Sequence, residues 1–405
     1  MRKWLSCLIP LFLCAEFALA QGVTVLQRSD KTELADPFSV VAAVGGEFGL
    51  PTLWWWHRIN AGWGSVRREV AQLYVSDPAE GVVFSLQGGK RTWNPNHLHE
   101  QVDMDRLRFS EDKFVDQDAI ADSLEILNLS GEARKLRLYF VGKSEGRCRI
   151  SFDKARNRLI LAETKDYGPR YPPGPFVVYQ EMAFSAPITG WGIGAAMGDL
   201  QKLMEGPLGF GVFTDDSNVR KYVTDYEGSG YYYGIQLDIN LPARQSSNLN
   251  LSSAFGRDPA RTAMQSDRLI RDPGPILQQK TSQLSDHIAN DWPGLKTPDE
   301  KLNRLWSYLW YVLDANRASK GLAVKADFNV PTKFGYWGCY VWDTAFHVIG
   351  QSFLRDKGIA EDSVRALLSL QYPNGFLPVN SGADYVEVVT PEGTYNVAPS
   401  DFYDY

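Results

Sequence analysis

The chain has 405 residues, of which 44% are hydrophobic and 22% charged, with a formal net charge of −6. That is a globular balance with length for two or three domains. It argues against nucleic acid as a partner, because such a footprint is normally basic.

The first twenty residues, MRKWLSCLIPLFLCAEFALA, carry Arg2 and Lys3, an apolar run from Leu5 to Phe17, and then Ala18-Leu19-Ala20. Charge, apolar run and small-x-small end, in that order, read as a signal peptide over 1–20. No later apolar run approaches the ~20 residues needed to cross a membrane. The expectation is a secreted or periplasmic protein with no membrane partner after signal removal. Of four cysteines, Cys7 and Cys14 lie in the signal, leaving Cys148 and Cys339. Export permits a bridge between these two, but they fall in segments read as different domains.

Residues 21–258 read as a β-sandwich domain. In GIQLDINL (234–241), Ile235, Leu237, Ile239 and Leu241 alternate with polar residues, the period of a half-buried strand. Leu136, Leu138 and Phe140 repeat the pattern after a Ser130-Gly131-Glu132 break. Several further short strands and turns follow, as a sandwich requires. GWGIGAAMG (190–198) is not a dinucleotide fingerprint, since Met197 stands where the third glycine is needed. His97, His99 and Glu100 offer two or three metal donors without a legible further ligand, so no metal site is assigned. LWWWHRINAGWG (53–64) holds four tryptophans, either packing or an aromatic surface for a sugar.

The period changes after residue 258. Residues 259–296 read as a helical linker. TPDEKLNRLWSYLWYVLDANRAS (297–319) reads as a strong helix, with Thr297 as cap, Pro298 in the first turn and Glu300 closing a capping box. Leu302, Leu305, Trp306, Leu309, Trp310 and Leu313 share one face. Further helices are expected near 342–354 and 359–371, the latter turning Val364, Leu367 and Leu368 inward.

GYWGCYVWDTAFHVIGQ (335–351) places Asp343 directly after Trp342 at a helix start. The bland account is a carboxylate stabilised by the helix N-terminus. It leaves unexplained the crowd of Phe334, Tyr336, Trp337, Tyr340 and Trp342 just before it. A flat aromatic face beside a hydrogen-bonding carboxylate suits a sugar ring.

WDTAFHVIG, a helix, and then LLSLQYPNGFLP together resemble the first helical hairpin of trehalase-like and glycoside hydrolase family 63 enzymes, a group that includes α-glucosidases and mannosylglycerate hydrolases. DWPGLKTPDEKLNRLWSYLWY resembles the helix that enters their catalytic domain. The resemblance covers about 285–382. It implies an (α/α)₆ barrel beginning at 297 and incomplete at 405. It makes Asp343 a sugar-binding carboxylate, Trp337 and Trp342 pocket walls, and Gln371 and Asn374 rim contacts. Val379 departs from the polar residue many relatives carry there. Twelve helices of ~12 residues with loops of ~5 need at least ~200 residues, more than 286–405 supplies. In the family the general acid and base both follow the W-D motif, so neither is expected before residue 405.

The reading is therefore an exported glycosidase acting on α-glucosides or α-mannosides by an inverting two-carboxylate mechanism, without its C-terminal catalytic part. The alternative is a non-catalytic carbohydrate-binding or scaffold protein. A third arrangement makes Asp343 the general acid, which needs a raised pKa that a helix N-terminus opposes. No cofactor is expected. Calcium is compatible with such a site, but no ligand set for it is legible.

Overall fold

A computed structural model describes residues 26–39, 41–44, 48–55, 65–86, 88–144, 146–165, 175–206, 209–210, 225–372, 374–382, 386–390 and 393–397. The signal-peptide reading and most of the tryptophan-rich 53–64 segment lie outside them.

Among the described residues, two large antiparallel sheets dominate. The first runs Glu33–Ala35, Val41–Val44, Gly49–Trp55, Ser65–Asp77, Arg134–Lys143, Tyr232–Leu241, Gly190–Gly194, with Val82–Ser85 also paired to Ser65–Asp77. The second runs Asp225–Ser229, Arg147–Asp153, Arg158–Lys165, Phe176–Phe184, Ser246–Gly256, Ala119–Asn128, Leu107–Asp116, His97–Met104, Lys90–Asn94. Alternation is the cause. Leu136, Leu138 and Phe140 sit in register with Ile239, Leu237 and Ile235, and all six are buried. Leu98, Phe109, Ile126 and Leu249 from the second sheet join the same apolar core.

The outer faces are partly covered by helices. Helix α1 (Met197–Glu205) lays Leu200 and Met204 on Tyr139 and Val141 of the first sheet. The GWGIG glycines serve this packing: a Cβ on Gly192 would come within 3.2 Å of Phe210. Helix α2 (Pro259–Arg271), capped by Asp258, sets Leu269 against Phe114, Ala121 and Ala254 of the second sheet. Helix α3 (Pro273–Asp286) follows and ends in a π-helical turn, His287–Asp291.

Helix α4 spans Glu300–Ala315. Its cap is Asp299, which accepts from the backbone N–H of Lys301 and Leu302; Thr297 instead accepts from Asp299 N at 3.2 Å. The expected cap thus moves two residues on, because aspartate at 299 reaches the free N–H groups directly. The expected inward leucine face is also corrected. Trp310, Tyr311 and Ala315 are buried, while Leu302, Leu305 and Leu309 are 44–52% exposed. Tyr311 and Tyr308 meet Trp93 edge-on at 5.6 and 6.3 Å, so the aromatic side of the helix takes the β sheet.

Helix α5 (Val341–Gln351) and helix α6 (Gly358–Leu368) pack on each other. In α6 the buried residues are Ala360, Ser363 and Ala366, whereas Val364 and Leu368 face outward. Small residues let the hairpin close tightly, and the larger ones are left on the outer side. Cys148 and Cys339 are both buried thiols, and no disulfide joins them.

Candidate functional site

The W-D segment is held from three sides. Cys339 and Tyr340 form a short strand paired with Ser381 and Asn380, and Val341 N donates to Val379 O at 3.1 Å. This pairing brings the GFLPVN segment beside the start of α5. Behind it, a buried polar chain ties the helices together. Asn329 Nδ2 donates to the Leu313 carbonyl of α4. Gln351 Nε2 donates to Asn329 Oδ1 at 2.6 Å, and Ser363 Oγ donates to Gln351 Oε1 at 2.9 Å. Each of these side chains is nearly solvent-free, so satisfied geometry here is costly to lose.

Asp343 is half-buried in the first turn of α5. The N-cap is Tyr340, which gives no side-chain cap. The aspartate is therefore not the cap, although its charge is well placed for the helix dipole. Trp342, 66% exposed, lies one residue away, with its ring 6.5 Å edge-on from Phe346. One turn on, His347 is largely buried, and among the described residues its Nδ1 has no hydrogen-bond partner. Burial pushes its pKa below the usual value, with Asp343 pulling the other way. In WDTAFHVIG this histidine stands one helical turn after Asp343, which is the signal the sequence carries for it.

Trp337 is 1% exposed and lies edge-on to Phe328 at 6.1 Å. Its ring is thus packed inside the chain, unlike the exposed ring of Trp342. The segment must bury one large ring to anchor itself against the sheet-forming Phe328–Asn329 pair, and Trp337 supplies it. Gln371 and Asn374 are exposed, and both close their own turn. Gln371 Nε2 donates to Gly375 O at 2.9 Å, and Asn374 Oδ1 accepts from Phe376 N at 3.0 Å. Gly375 has φ +89°, which that turn requires. Structure thus brings Trp342 and Asp343 together, with the 371–376 turn belonging to the strand-paired neighbour segment.

Among the described residues no group of His, Cys, Asp or Glu is arranged to hold a metal. His97 is instead within 3.1 Å of Asn94 Nδ2, and His99 lies 3.0 Å from Asp112. No described helix is long and apolar enough to cross a membrane.

No protein-family model matches the chain, and no curated protein matches it. Solved structures do. One is a bacterial glucoamylase complexed with acarbose, at TM-score 0.53 and 13% identity, covering 87% of this chain and 52% of that one. Another is a family GH92 α-mannosidase from Bacteroides thetaiotaomicron in complex with mannoimidazole, at TM-score 0.50 and 10% identity, covering 87% and 48%. At these identities the likeness is one of fold. The chain spans about half the length of these glycosidases.

Proposed function

We propose that this chain is the N-terminal part of an exported glycoside hydrolase acting on α-glucosides or α-mannosides. Asp343 would hold sugar hydroxyls beside the exposed ring of Trp342. The observation that carries the reading is this half-buried carboxylate, which does not cap its helix and stands beside an exposed indole. A second feature supports it. Trp342, Phe346, Ile349 and Phe353 form an i, i+4, i+7, i+11 stripe along and just past α5, each 60–67% exposed. Leu302, Leu305 and Leu309 form a second, i, i+3, i+7 stripe on α4, each 44–52% exposed. Such faces suit further helices of an (α/α)₆ barrel, and this chain spans about half the length of the similar glycosidases.

In this reading the general acid and base are supplied by those further helices, and the inverting mechanism separates them by ~6.5–9.5 Å, leaving room for water. The family 63 and trehalase-like assignment, export and the domain limits at 20, 258 and 296 belong to the same proposal. The test is to express a form carrying the remaining helices and assay aryl α-glucosides and α-mannosides, following the first-formed anomer by NMR. Inverted product and dependence on Asp343 are expected. Full activity without Asp343 refutes the role.

A further inference from the structure

Asp343 and His347 stand on the same side of α5, about 40° apart around a helix of 3.6 residues per turn. The rotation of that helix is fixed from inside. Thr344 and Gln351 are almost solvent-free; Thr344 Oγ1 lies 3.8 Å from Cys339 Sγ, and Gln351 bonds to Asn329 and Ser363. The opposite side carries the exposed Trp342, Phe346, Ile349 and Phe353. Asp343 and His347 therefore emerge together on the strip between, each partly buried. Gly350 continues the strip. A Cβ there would come within 3.3 Å of Leu313, so α4 bounds the strip at that end.

Neither polar group is taken up by the fold. The Asp343 carboxylate makes no hydrogen bond or ion pair among the described residues. His347 Nδ1 is enclosed without a partner among them, whereas Nε2, equally unbonded, is not enclosed. This difference selects the tautomer. A proton on Nδ1 would leave a buried N–H with nothing to accept it, a costly arrangement. A proton on Nε2 stays within reach of water or a ligand. Burial also opposes the doubly protonated ring and holds the His347 pKa below its ordinary value, despite the pull of Asp343. The neutral ring thus presents an N–H donor beside the Asp343 acceptor.

We propose that His347 Nε2–H and the Asp343 carboxylate together read two adjacent hydroxyls of one sugar ring: one hydroxyl donates to Asp343, and its neighbour accepts from His347. Positions i and i+4 hold their Cβ atoms roughly 5–6 Å apart, so both side chains reach one ring. A hydroxyl can donate or accept, so a vicinal pair satisfies the carboxylate and the N–H at once. His347 is then a specificity-determining contact of the subsite that the reading above gives to Asp343, and the proposal rests on that reading.

NMR of the isotope-labelled full chain reads the imidazole directly. A neutral His347 ring with its proton on Nε2 is expected; the Nδ1–H form overturns the pair. Titration with methyl α-mannoside, and separately with methyl α-glucoside, should shift the ring nitrogens saturably with one of them. No saturable shift with either also overturns it. His347→Phe should weaken that binding about tenfold. His347→Asn should do the same, because its shorter amide does not reach the Nε2 position. His347→Gln, whose amide nitrogen does reach it, should keep most of the affinity. One monodeoxy form of the bound glycoside should bind His347→Phe and the parent equally, since the contact it lacks is already gone. If every monodeoxy form loses affinity in the variant, the effect is structural and the pair falls. Parent-like affinity in His347→Phe with loss in Asp343→Asn overturns the pair and leaves the proposed function standing. Parent-like affinity in Asp343→Asn refutes the carboxylate's role and the pair with it.

Discussion

Lys333 Nζ donates to the backbone carbonyl of Asp36, a residue 297 positions earlier in the chain. The lysine is 0% exposed, and four residues later comes Trp337. Asp36 in turn pairs with Lys280 of α3 and accepts from Gln117 N at 3.2 Å. The loop leading into the W-D segment is thus pinned to the first sheet through one buried amine.

That amine titrates in a useful range. Burial pushes the Lys333 pKa down to about 7, from 10.5 in the open chain. Between these values the unfolded chain binds the proton and the folded one does not, so stability rises with pH. The slope from one such group is at most about 1.4 kcal/mol per pH unit. Above pH 9 the buried Cys339 thiol, pushed up to about 12, works in the opposite direction. Urea unfolding between pH 7 and 9 should therefore show rising stability, and Lys333→Met should flatten the rise. An unchanged slope in that variant would mean that Lys333 stays charged when buried.

The Asn329–Gln351–Ser363 chain should behave as a unit. Gln351→Leu leaves Asn329 Oδ1 and the Ser363 hydroxyl without their buried partner. Each such group costs about 1–3 kcal/mol. Ser363→Ala removes only one end and should cost about 1 kcal/mol. Chemical denaturation of both, and of the double variant, checks this. The double should cost less than the sum, since the two changes share a partner.

Asp343→Asn separates binding from capping in a protein carrying the completing helices. Melting temperature should hold, because Asp343 is not the cap. A hydrogen bond from a sugar hydroxyl to a charged group is worth about 1.5–3 kcal/mol, so kcat/KM should fall roughly ten- to several-hundred-fold. Activity on an activated glycosyl fluoride should stay low. Recovery there would make Asp343 the general acid instead.

His347 should contribute to acid sensitivity. Its folded pKa lies below 6.5 through burial, so as pH drops below that value the unfolded chain gains a proton the folded chain resists. Stability falls with pH in that window. His97, also lowered by burial, acts in the same direction. His347→Gln should reduce the acid slope. A slope identical to the parent would mean that His347 keeps its ordinary pKa.

The uncovered helix faces give a solubility test. Leu305 is 52% exposed and Phe353 67%. Replacing both with glutamate should change stability by no more than about 0.5 kcal/mol each. It should lower self-association of this chain measured by light scattering. Marked unfolding would show instead that these residues are covered within the chain.

The sheets were legible because one buried face imposes a period of two, as in Leu136, Leu138 and Phe140. The helix–helix contact was less so. Hydropathy favoured Val364 and Leu368, whereas packing selected Ala360, Ser363 and Ala366, whose smallness carries no periodic signal. Trp337 and Trp342 look equivalent in sequence, yet one is 1% and the other 66% exposed. Only the strand at Cys339–Tyr340 decides between them, since it fixes which way the segment enters α5.

The pairing of Cys339 with Ser381 encloses both α5 and α6 in a loop of about forty residues. Closing it costs entropy that grows only slowly with length, so the two helices within are cheap to include. Once closed, neither helix can fray outward from a free end. Amide protons of α5 and α6 should then exchange together, at one rate set by opening of the 339–381 clasp. The aromatic segment and the turn after α6 would come and go as a single cooperative unit.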